Sequence, residues 1–231
     1  MKLLTINPNS SVTVTARINA AAQAACQPGE EITTIRAQGA PDLIVTPEDA
    51  RRAAQAVTQT LSAWTAPVDG VILASFGDTG LEAVRAQTRV PVVGIAQSAY
   101  AMASVLGARM SIVSFAPSVA EALRKTALSY GHADRLVAMH MVEGAVWDDP
   151  GAIQDQCGPD LLALCQKSAR EDGVGSIVLG GGPLAGLAAR LQPQVPVPVI
   201  DGTTAAIATL RVALGQVPPR HDAALRRAAH A

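Results

Sequence analysis

Ser75 stands where the sequence is best suited to chemistry. It follows the short apolar run of residues 71–74 (Val-Ile-Leu-Ala) and precedes residues 76–80 (Phe-Gly-Asp-Thr-Gly). The run is typical of a buried parallel strand, and the glycines that follow predict a tight turn before a helix. Open α/β sheets bind ligands at the carboxyl ends of such strands. Ser75 is therefore a candidate catalytic residue, either as a hydrogen-bond donor to an oxyanion or, if activated, as a nucleophile.

Asp78 is the titratable residue nearest to Ser75 in the sequence, and two roles are open for it. Together with Thr79 it can cap the helix that begins at Leu81, and Glu82 completes the pattern of a capping box with Thr79. The other role is that of a general base. The spacing favours capping, and Asp78 is kept as a second candidate catalytic residue.

The same arrangement returns in the second half of the chain. Residues 176–179 (Ser-Ile-Val-Leu) run into Gly180, Gly181 and Gly182, much as residues 71–74 run into Ser75. This pair of turns, the prolines that open two later strands, and two Pro-Ser turns are each separated by 106 to 109 residues. We interpret the shared offset as two similar α/β halves, although short strand-loop-helix units also resemble one another by chance.

The loop of residues 7–11 (Asn-Pro-Asn-Ser-Ser) has two interpretations. Asn, Pro and Ser are ordinary turn residues, and Ser10 or Ser11 is suited to cap the following helix. Alternatively, Asn9, Ser10 and the free N–H groups of the helix start form an anion-binding cradle. The sequence alone leaves both open.

Composition sets limits on the class of protein. The 231 residues are 49% hydrophobic but only 3% aromatic, which favours parallel sheets covered by Ala-rich helices. The net charge is −1 and no dense basic block occurs, so we expect no nucleic-acid partner. No apolar run approaches the roughly 20 residues of a membrane span. Three cysteines without a signal peptide predict a cytoplasmic protein with reduced thiols, and Cys157 and Cys165 are interpreted as core residues.

Strand and helix patterns alternate along the whole chain. They predict a first subdomain of residues 1–97 plus 205–231 and a second of residues 98–204, packed around one cleft. A helix capped by residues 148–150 (Asp-Asp-Pro) opens the last third of the chain. A polar tail beyond Pro218 is expected to pack back on the first half.

Several kinds of site find no support in the sequence. The four histidines lack the spacing of metal ligands, so no metal site is predicted. The glycines at 180–182 lack the spacing of either nucleotide-binding motif. Ser75 lacks the spacing of a nucleophile elbow, although a triad with distant partners stays open.

Four motifs together resemble the aspartate/glutamate/hydantoin racemase superfamily, with the hydantoin and allantoin racemases as the nearest branch. They are residues 6–11 (Ile-Asn-Pro-Asn-Ser-Ser), 75–80 (Ser-Phe-Gly-Asp-Thr-Gly), 179–183 (Leu-Gly-Gly-Gly-Pro) and 198–202 (Pro-Val-Ile-Asp-Gly). The resemblance covers nearly the whole chain. It implies an α/β fold of two pseudosymmetric parallel-sheet subdomains with the active site in the cleft between them. It also implies a small-molecule substrate, no cofactor and a homo-oligomer.

Members of this superfamily use two cysteine thiols, one from each half, to remove and return an α-proton. The matching positions here are Ser75 and Gly181, so both thiols are missing. A thiol has a pKa near 8.5 that a protein can lower into the useful range, whereas an alkyl hydroxyl is far less acidic. The superfamily's decarboxylase branch keeps the second thiol, so this chain departs from that pattern too. The resemblance therefore implies a racemase or isomerase that does not use the two-thiol mechanism.

By the family pattern, the loops from both halves converge on one small pocket. The substrate-binding residues that this implies are Asn9, Ser10, Phe76, Gly77, Ser118, Gly180, Gly181 and Gly182. The predicted substrate is a small carboxylate or a hydantoin-like cyclic amide. The alternatives are a ring-opening amide hydrolase or lyase that uses Ser75 and an oxyanion pocket, and a non-catalytic protein that binds a small ligand.

Overall fold

Strands and helices alternate along the chain, as the sequence pattern predicts. The computed structural model describes residues 1–144 and 149–216. The strands are β1 Lys2–Asn7, β2 Glu31–Arg36, β3 Gly70–Leu73, β4 Val92–Gly94, β5 Met110–Ser114, β6 Leu136–Met141, β7 Ser176–Gly180 and β8 Val199–Asp201. The helices are α1 Val12–Ala24, α2 Pro47–Ala63, α3 Leu81–Gln87, α4 Ile95–Leu106, α5 Ala120–Ser129, α6 Ile153–Glu171, α7 Leu187–Leu191 and α8 Gly202–Gln216.

The strands form two four-stranded sheets with the same internal order. One sheet runs β2-β1-β3-β4 and the other β6-β5-β7-β8, and every neighbouring pair is parallel. We call the two halves built on these sheets the first and second lobes. The fold class predicted from the sequence, two matched parallel α/β units, is confirmed.

Local sequence signals set the starts of the first two long helices. The Ser11 hydroxyl accepts the Val14 N–H at 3.2 Å and caps α1, so the cap is Ser11 and not Ser10. Thr46 and Asp49 form a reciprocal capping box at the start of α2, with Pro47 as its first residue. Each helix buries small and aliphatic residues of one face, Val14 and Ile18 among them on α1 and Ala53 and Val57 on α2.

The predicted cap of α3 is wrong. Gly80, with a left-handed φ of 86°, occupies the cap position, and no side chain bonds to the helix start there. Thr79 donates its N–H to the Ser75 hydroxyl oxygen, and Asp78 is directed towards α4. Residues 97–100 (Gln-Ser-Ala-Tyr) predict a helix that starts at Gln97, but α4 follows β4 directly and starts two residues earlier, at Ile95.

Helices α4 and α8 pack on each other. Helix α4 follows the first lobe and contacts the second, and α8 follows the second lobe and contacts the first. On α4, the Tyr100 hydroxyl donates to the Leu123 carbonyl at 3.2 Å, which joins α4 to the second lobe. On α8, Arg211 donates two hydrogen bonds of 2.8 Å to Glu30 in the first lobe. The subdomain limits expected from the sequence stay a prediction. The tail beyond Pro218 and the predicted cap residue Asp148 lie outside the described residues.

A second connection between the lobes joins α1 to the start of α6. The Thr13 hydroxyl donates to Asp149 at 2.6 Å, and Arg17 donates to the Gly151 carbonyl at 2.9 Å. A Cβ atom on Gly151 would lie only 2.4 Å from the Cβ of Thr13, so the two backbones meet closely here. No helix in the described part of the chain has the length and apolar character that a membrane span requires.

The cysteines lie away from the cleft. Cys157 and Cys165 are buried in the core of the second lobe, as predicted. Burial raises the pKa of the Cys165 thiol to about 12, and burial followed by the nearby Asp160 charge raises that of Cys157. These two thiols are therefore protonated core groups and not reactive ones.

Candidate active site

A cavity of about 510 Å³ opens between the lobes, where the turns after β1, β3, β5 and β7 face one another. The residues predicted from the sequence that line it are Asn9, Ser75, Phe76, Gly77, Ser118, Gly180, Gly181 and Gly182. Ser10 and Asp78 are not among the residues that line it. The structure thus brings together most of the predicted site from segments far apart in the chain.

Ser75 presents its hydroxyl on the wall contributed by the first lobe. Its oxygen accepts the Thr79 N–H at 3.1 Å, and its carbonyl accepts the Asp78 N–H at 3.0 Å. Among the described residues, no protein group accepts the proton of the Ser75 hydroxyl. The hydroxyl is therefore held in place through its oxygen while its proton remains available to a ligand.

Gly181 lies on the wall contributed by the second lobe, and only glycine suits it. Its φ is 140°, and an added Cβ would lie 2.6 Å from Cε1 of Phe115. The Phe115 ring thus fills the space from which a side chain at 181 would extend. The walls are close together, since a Cβ on Gly182 would lie 3.2 Å from the Ala74 carbonyl oxygen.

The loop after β1 divides its polar residues between two tasks. The Asn9 side-chain oxygen accepts the Asn7 amide at 2.8 Å and the Ser11 N–H at 3.0 Å, which fixes Asn9 at the cavity wall. The Ser10 hydroxyl instead donates to Asp42, and its N–H donates to the Pro41 carbonyl. Ser10 therefore holds the loop that precedes α2 and turns its hydroxyl away from the cavity.

That loop contributes an apolar wall. Leu43, Ile44 and Val45 line the cavity, and Leu43 and Val45 are 44% and 49% exposed. Exposed large aliphatic side chains beside a cavity favour an occupant with some apolar surface.

Charged groups are few at the cavity. Among the described residues that line it, only Glu121 and Lys125 are titratable, and they form an ion pair of 2.8 Å on the exposed side of α5. The Lys125 hydrogen bond lowers the pKa of Glu121, and the same bond raises the pKa of Lys125. No group of three or more His, Cys, Asp or Glu in the described residues is placed to hold a metal ion.

Asp78 is buried behind the Ser75 turn. Its carboxylate accepts the N–H groups of Ala96 and Gln97 at 3.0 and 2.8 Å and the Tyr130 hydroxyl at 2.7 Å. Burial raises the pKa of Asp78, and these hydrogen bonds oppose the rise. The carboxylate is therefore already supplied with donors from the protein.

Two contributors to the site are missing from the sequence-based prediction. Phe115 directly follows β5, and in the sequence it looks like one more apolar residue of the core. Gln154 is buried on α6, and its amide donates to the carbonyls of Pro183 and Ala185 at 2.9 and 2.7 Å. A Gln directly after Ile153, on a buried helix face, is the only sequence signal for this support of the Gly181 turn.

These features define a class of protein, a two-lobed parallel α/β fold with a cavity between the carboxyl edges of its sheets. The model of the Asp/Glu/Hydantoin racemase family matches residues 3–210. The chain belongs to this family, and it is a racemase-like isomerase.

The relatives agree over nearly the full length of the chain. A hydantoin racemase of Paenarthrobacter aurescens is 34% identical over 223 residues, which cover 93% of this chain and 92% of that one. The structure of allantoin racemase from Klebsiella pneumoniae superposes with a TM-score of 0.85 at 34% identity and covers 96% and 91% of the two chains. Allantoin racemase from Pseudomonas fluorescens gives a TM-score of 0.82 at 27% identity, with 93% and 92% covered.

Proposed function

We propose that the protein is a cofactor-independent isomerase that acts on a small carboxylate or a hydantoin-like cyclic amide without using a pair of thiols. The cavity between the lobes is the proposed site. Hydantoin and allantoin, which the relatives' names give, share a five-membered ring in which a carbonyl lies next to C5, and C5 is a stereocentre when it carries one substituent. The three cysteines of the chain are all described, and none lines the cavity.

The observation that carries this proposal is the Ser75 hydroxyl, whose proton is free to face the cavity. Hydrogen bonding to the ring carbonyl stabilises the enolate that forms when the adjacent carbon loses its proton. In this proposal water is the base: one water molecule accepts the α-proton on one face of the ring and another returns a proton to the same carbon on the opposite face, since no thiol lines either wall. The apolar residues of the loop before α2 contact the substituent of the ring.

Ring opening by Ser75 is the second candidate, because the same hydroxyl could attack a carbonyl. A serine nucleophile requires a base within hydrogen-bond reach. Among the described residues that line the cavity there is no His or Asp, and Glu121 is paired with Lys125. This arrangement favours Ser75 as a donor over Ser75 as a nucleophile.

The test is to incubate each enantiomer of a 5-monosubstituted hydantoin, and of allantoin, with the protein in D₂O at neutral pH. We expect the circular dichroism signal to decay faster than in a protein-free control, with deuterium entering the α-position. A new carboxylate and free amide, detected by mass spectrometry, would instead indicate hydrolysis or lyase chemistry. Saturable binding without any turnover would indicate a ligand-binding protein and contradict the proposal.

Two further parts of the proposal follow the family resemblance. We propose a homo-oligomer, which light scattering after size-exclusion chromatography tests. We also propose that turnover needs no added cofactor, so exhaustive dialysis against a chelator is expected to leave the rate unchanged. A cytoplasmic location stays a prediction.

A further inference from the structure

The two lobes end their last strand pairs in the same register but with different residues. Leu73 of β3 lies opposite Gly94 of β4, and Leu179 of β7 lies opposite Asp201 of β8. A helix follows at once in both lobes, α4 after Gly94 and α8 after Asp201. Gly94 and Asp201 are therefore equivalent positions.

In the second lobe, the buried Asp201 carboxylate connects three segments. One oxygen accepts the N–H groups of Thr203 and Thr204 at 2.8 and 3.0 Å, the second and third residues of α8. The other oxygen accepts the N–H of Gly186, the left-handed residue that precedes α7. A strand end, a helix N-terminus and the turn after β7 are thus held together by one carboxylate.

In the first lobe, the same space is filled by Asp78 from the turn itself. A Cβ built on Gly94 would lie 2.1 Å from Cγ of Asp78. The Asp78 carboxylate accepts the N–H groups of Ala96 and Gln97, which are the second and third residues of α4. The two lobes therefore place a carboxylate at equivalent helix N-termini, one from the strand and one from the turn.

The first-lobe carboxylate reaches one segment more. The Tyr130 hydroxyl donates to Asp78 at 2.7 Å, and Tyr130 directly follows the last residue of α5, the helix that lines the opposite side of the cavity. Asp78 also has a left-handed φ of 45°, the only positive φ of a non-glycine residue in the described chain. Such a conformation persists only where surrounding contacts fix it.

We propose that Asp78 is a positioning residue, whose carboxylate fixes the Ser75 turn against the start of α4 and the end of α5 and does not exchange a proton with the substrate. A negative charge at a helix N-terminus is favourable, which explains why a buried carboxylate suits both lobes. This inference concerns the geometry of the turn and holds whichever small molecule the cavity binds.

The decisive experiment moves the carboxylate from position 78 in the turn to position 94 in the strand, which is the arrangement of Asp201 in the second lobe. Four proteins are compared: the wild type, Asp78→Gly, Gly94→Asp, and the double variant Asp78→Gly/Gly94→Asp. Urea unfolding gives stability, and amide hydrogen exchange at Thr79 and Leu81 reports the turn. Each single variant is expected to raise the unfolding equilibrium constant at least tenfold, because one removes the carboxylate and the other forces two into one space.

The unfolding equilibrium constant of the double variant is expected to be at least tenfold smaller than the value obtained by multiplying the two single effects. Slow amide exchange at Thr79 is expected to return in the double variant. With an active assay, it is also expected to keep turnover within about tenfold of the wild type. Additive single effects would overturn the proposal, as would a stable double variant whose turnover falls more than a hundredfold. If no substrate is turned over even by the wild type, unfolding and exchange still decide the question.

A milder variant covers the case in which Gly94→Asp does not fold. Tyr130→Phe removes one donor to Asp78 and keeps the ring. We expect exchange at Thr79 and Leu81 to quicken severalfold while the far-ultraviolet circular dichroism stays unchanged. Unchanged exchange in Tyr130→Phe would contradict the link between Asp78 and α5.

Discussion

The Ser75 hydroxyl is held by its oxygen and free at its proton, which is the arrangement that an oxyanion donor needs. Ser75→Ala is therefore expected to lower kcat/KM by about 10² to 10³, since a single oxyanion donor commonly contributes that much. The measurement is the initial rate of circular dichroism decay with an active hydantoin substrate. The far-ultraviolet spectrum and unfolding midpoint should change little, because the lost partner is one partly exposed N–H.

A matched control is Ser104→Ala, which removes an exposed hydroxyl bonded within α4 to the Ala101 carbonyl. It is expected to keep the wild-type rate. Full activity in Ser75→Ala would remove Ser75 from the mechanism.

Gly181 is constrained both by its backbone and by its neighbour. Gly181→Ala is expected to lower the free energy of unfolding by roughly 2–4 kcal/mol, because the new Cβ meets the Phe115 ring at a φ that L-residues rarely adopt. Urea unfolding measures the change. The loss should be smaller when Gly181→Ala is made in a Phe115→Leu background, and an equal loss would show that the ring is not responsible.

Gly158→Ala is the control for this substitution. Gly158 lies inside α6, and an added Cβ meets nothing within 4 Å. We expect a change between zero and about 1 kcal/mol of stabilisation.

For single residues, the sequence predicts the position in the fold better than the direction of the side chain. Ser75 and Gly181 follow apolar runs that end at glycines, so the periodic pattern alone places both at strand ends. The direction of the Asp78 side chain depends on the missing side chain of Gly94, sixteen residues further along the chain. The local sequence around Asp78 does not show that Gly94 leaves space for its side chain. The sequence therefore predicts a capping box for α3, whereas the structure has Asp78 in contact with α4.

Helix α6 supports the Gly181 turn through one buried amide. Gln154→Leu is expected to lower the free energy of unfolding by about 2–4 kcal/mol, because the carbonyls of Pro183 and Ala185 lose their donor inside the protein. Urea unfolding gives the stability, and faster amide exchange at Leu184 would show that the turn has loosened.

The same helix supplies the comparison. Gln166 donates to the Gln194 carbonyl through a solvent-exposed hydrogen bond of 3.2 Å, so the free energy of unfolding of Gln166→Leu is expected to stay within about 0.5 kcal/mol of the wild type. Equal effects of the two substitutions would contradict a special role for Gln154.

Elements with strong local signals are predicted closely. The start of α2 is fixed by Thr46, Pro47 and Asp49, and the structure has the helix begin there. The start of α4 is missed by two residues because Gly94 carries no local cap and the donor groups are satisfied by Asp78 from another turn. A helix cap that comes from a distant segment cannot be predicted from the residues next to the helix start.

The duplication of the chain is the feature of the whole molecule that the sequence predicts best. Turns repeated at offsets of 106 to 109 residues correspond to sheets of identical order. The hydrogen bond between Thr13 and Asp149, which joins the lobes, has no such signature, because it connects two single residues 136 positions apart.

The Arg211–Glu30 pair connects α8 to the first lobe and gives the molecule a specific pH dependence. The bidentate Arg211 hydrogen bond holds the pKa of Glu30 at about 2, well below its usual 4.5. A carboxylate whose pKa is lowered on folding stabilises the folded state above its unfolded pKa and loses that contribution as the pH falls through the folded value. Glu30→Gln is therefore expected to lower the free energy of unfolding at pH 7 by roughly 1–3 kcal/mol.

The difference in free energy of unfolding between the wild type and Glu30→Gln should decrease steadily as the pH falls from about 4.5 towards 2. Protonation of Glu30 then removes the charge from the wild type as well. Urea unfolding at a series of pH values from 7 to 3 measures this difference. Glu31→Gln is the neighbouring control, since the Lys2–Glu31 pair is exposed and should contribute less than about 1 kcal/mol at any pH. A gap for Glu30→Gln that stays constant down to pH 3 would show that the variant acts through packing and not through the charge that joins α8 to the first lobe.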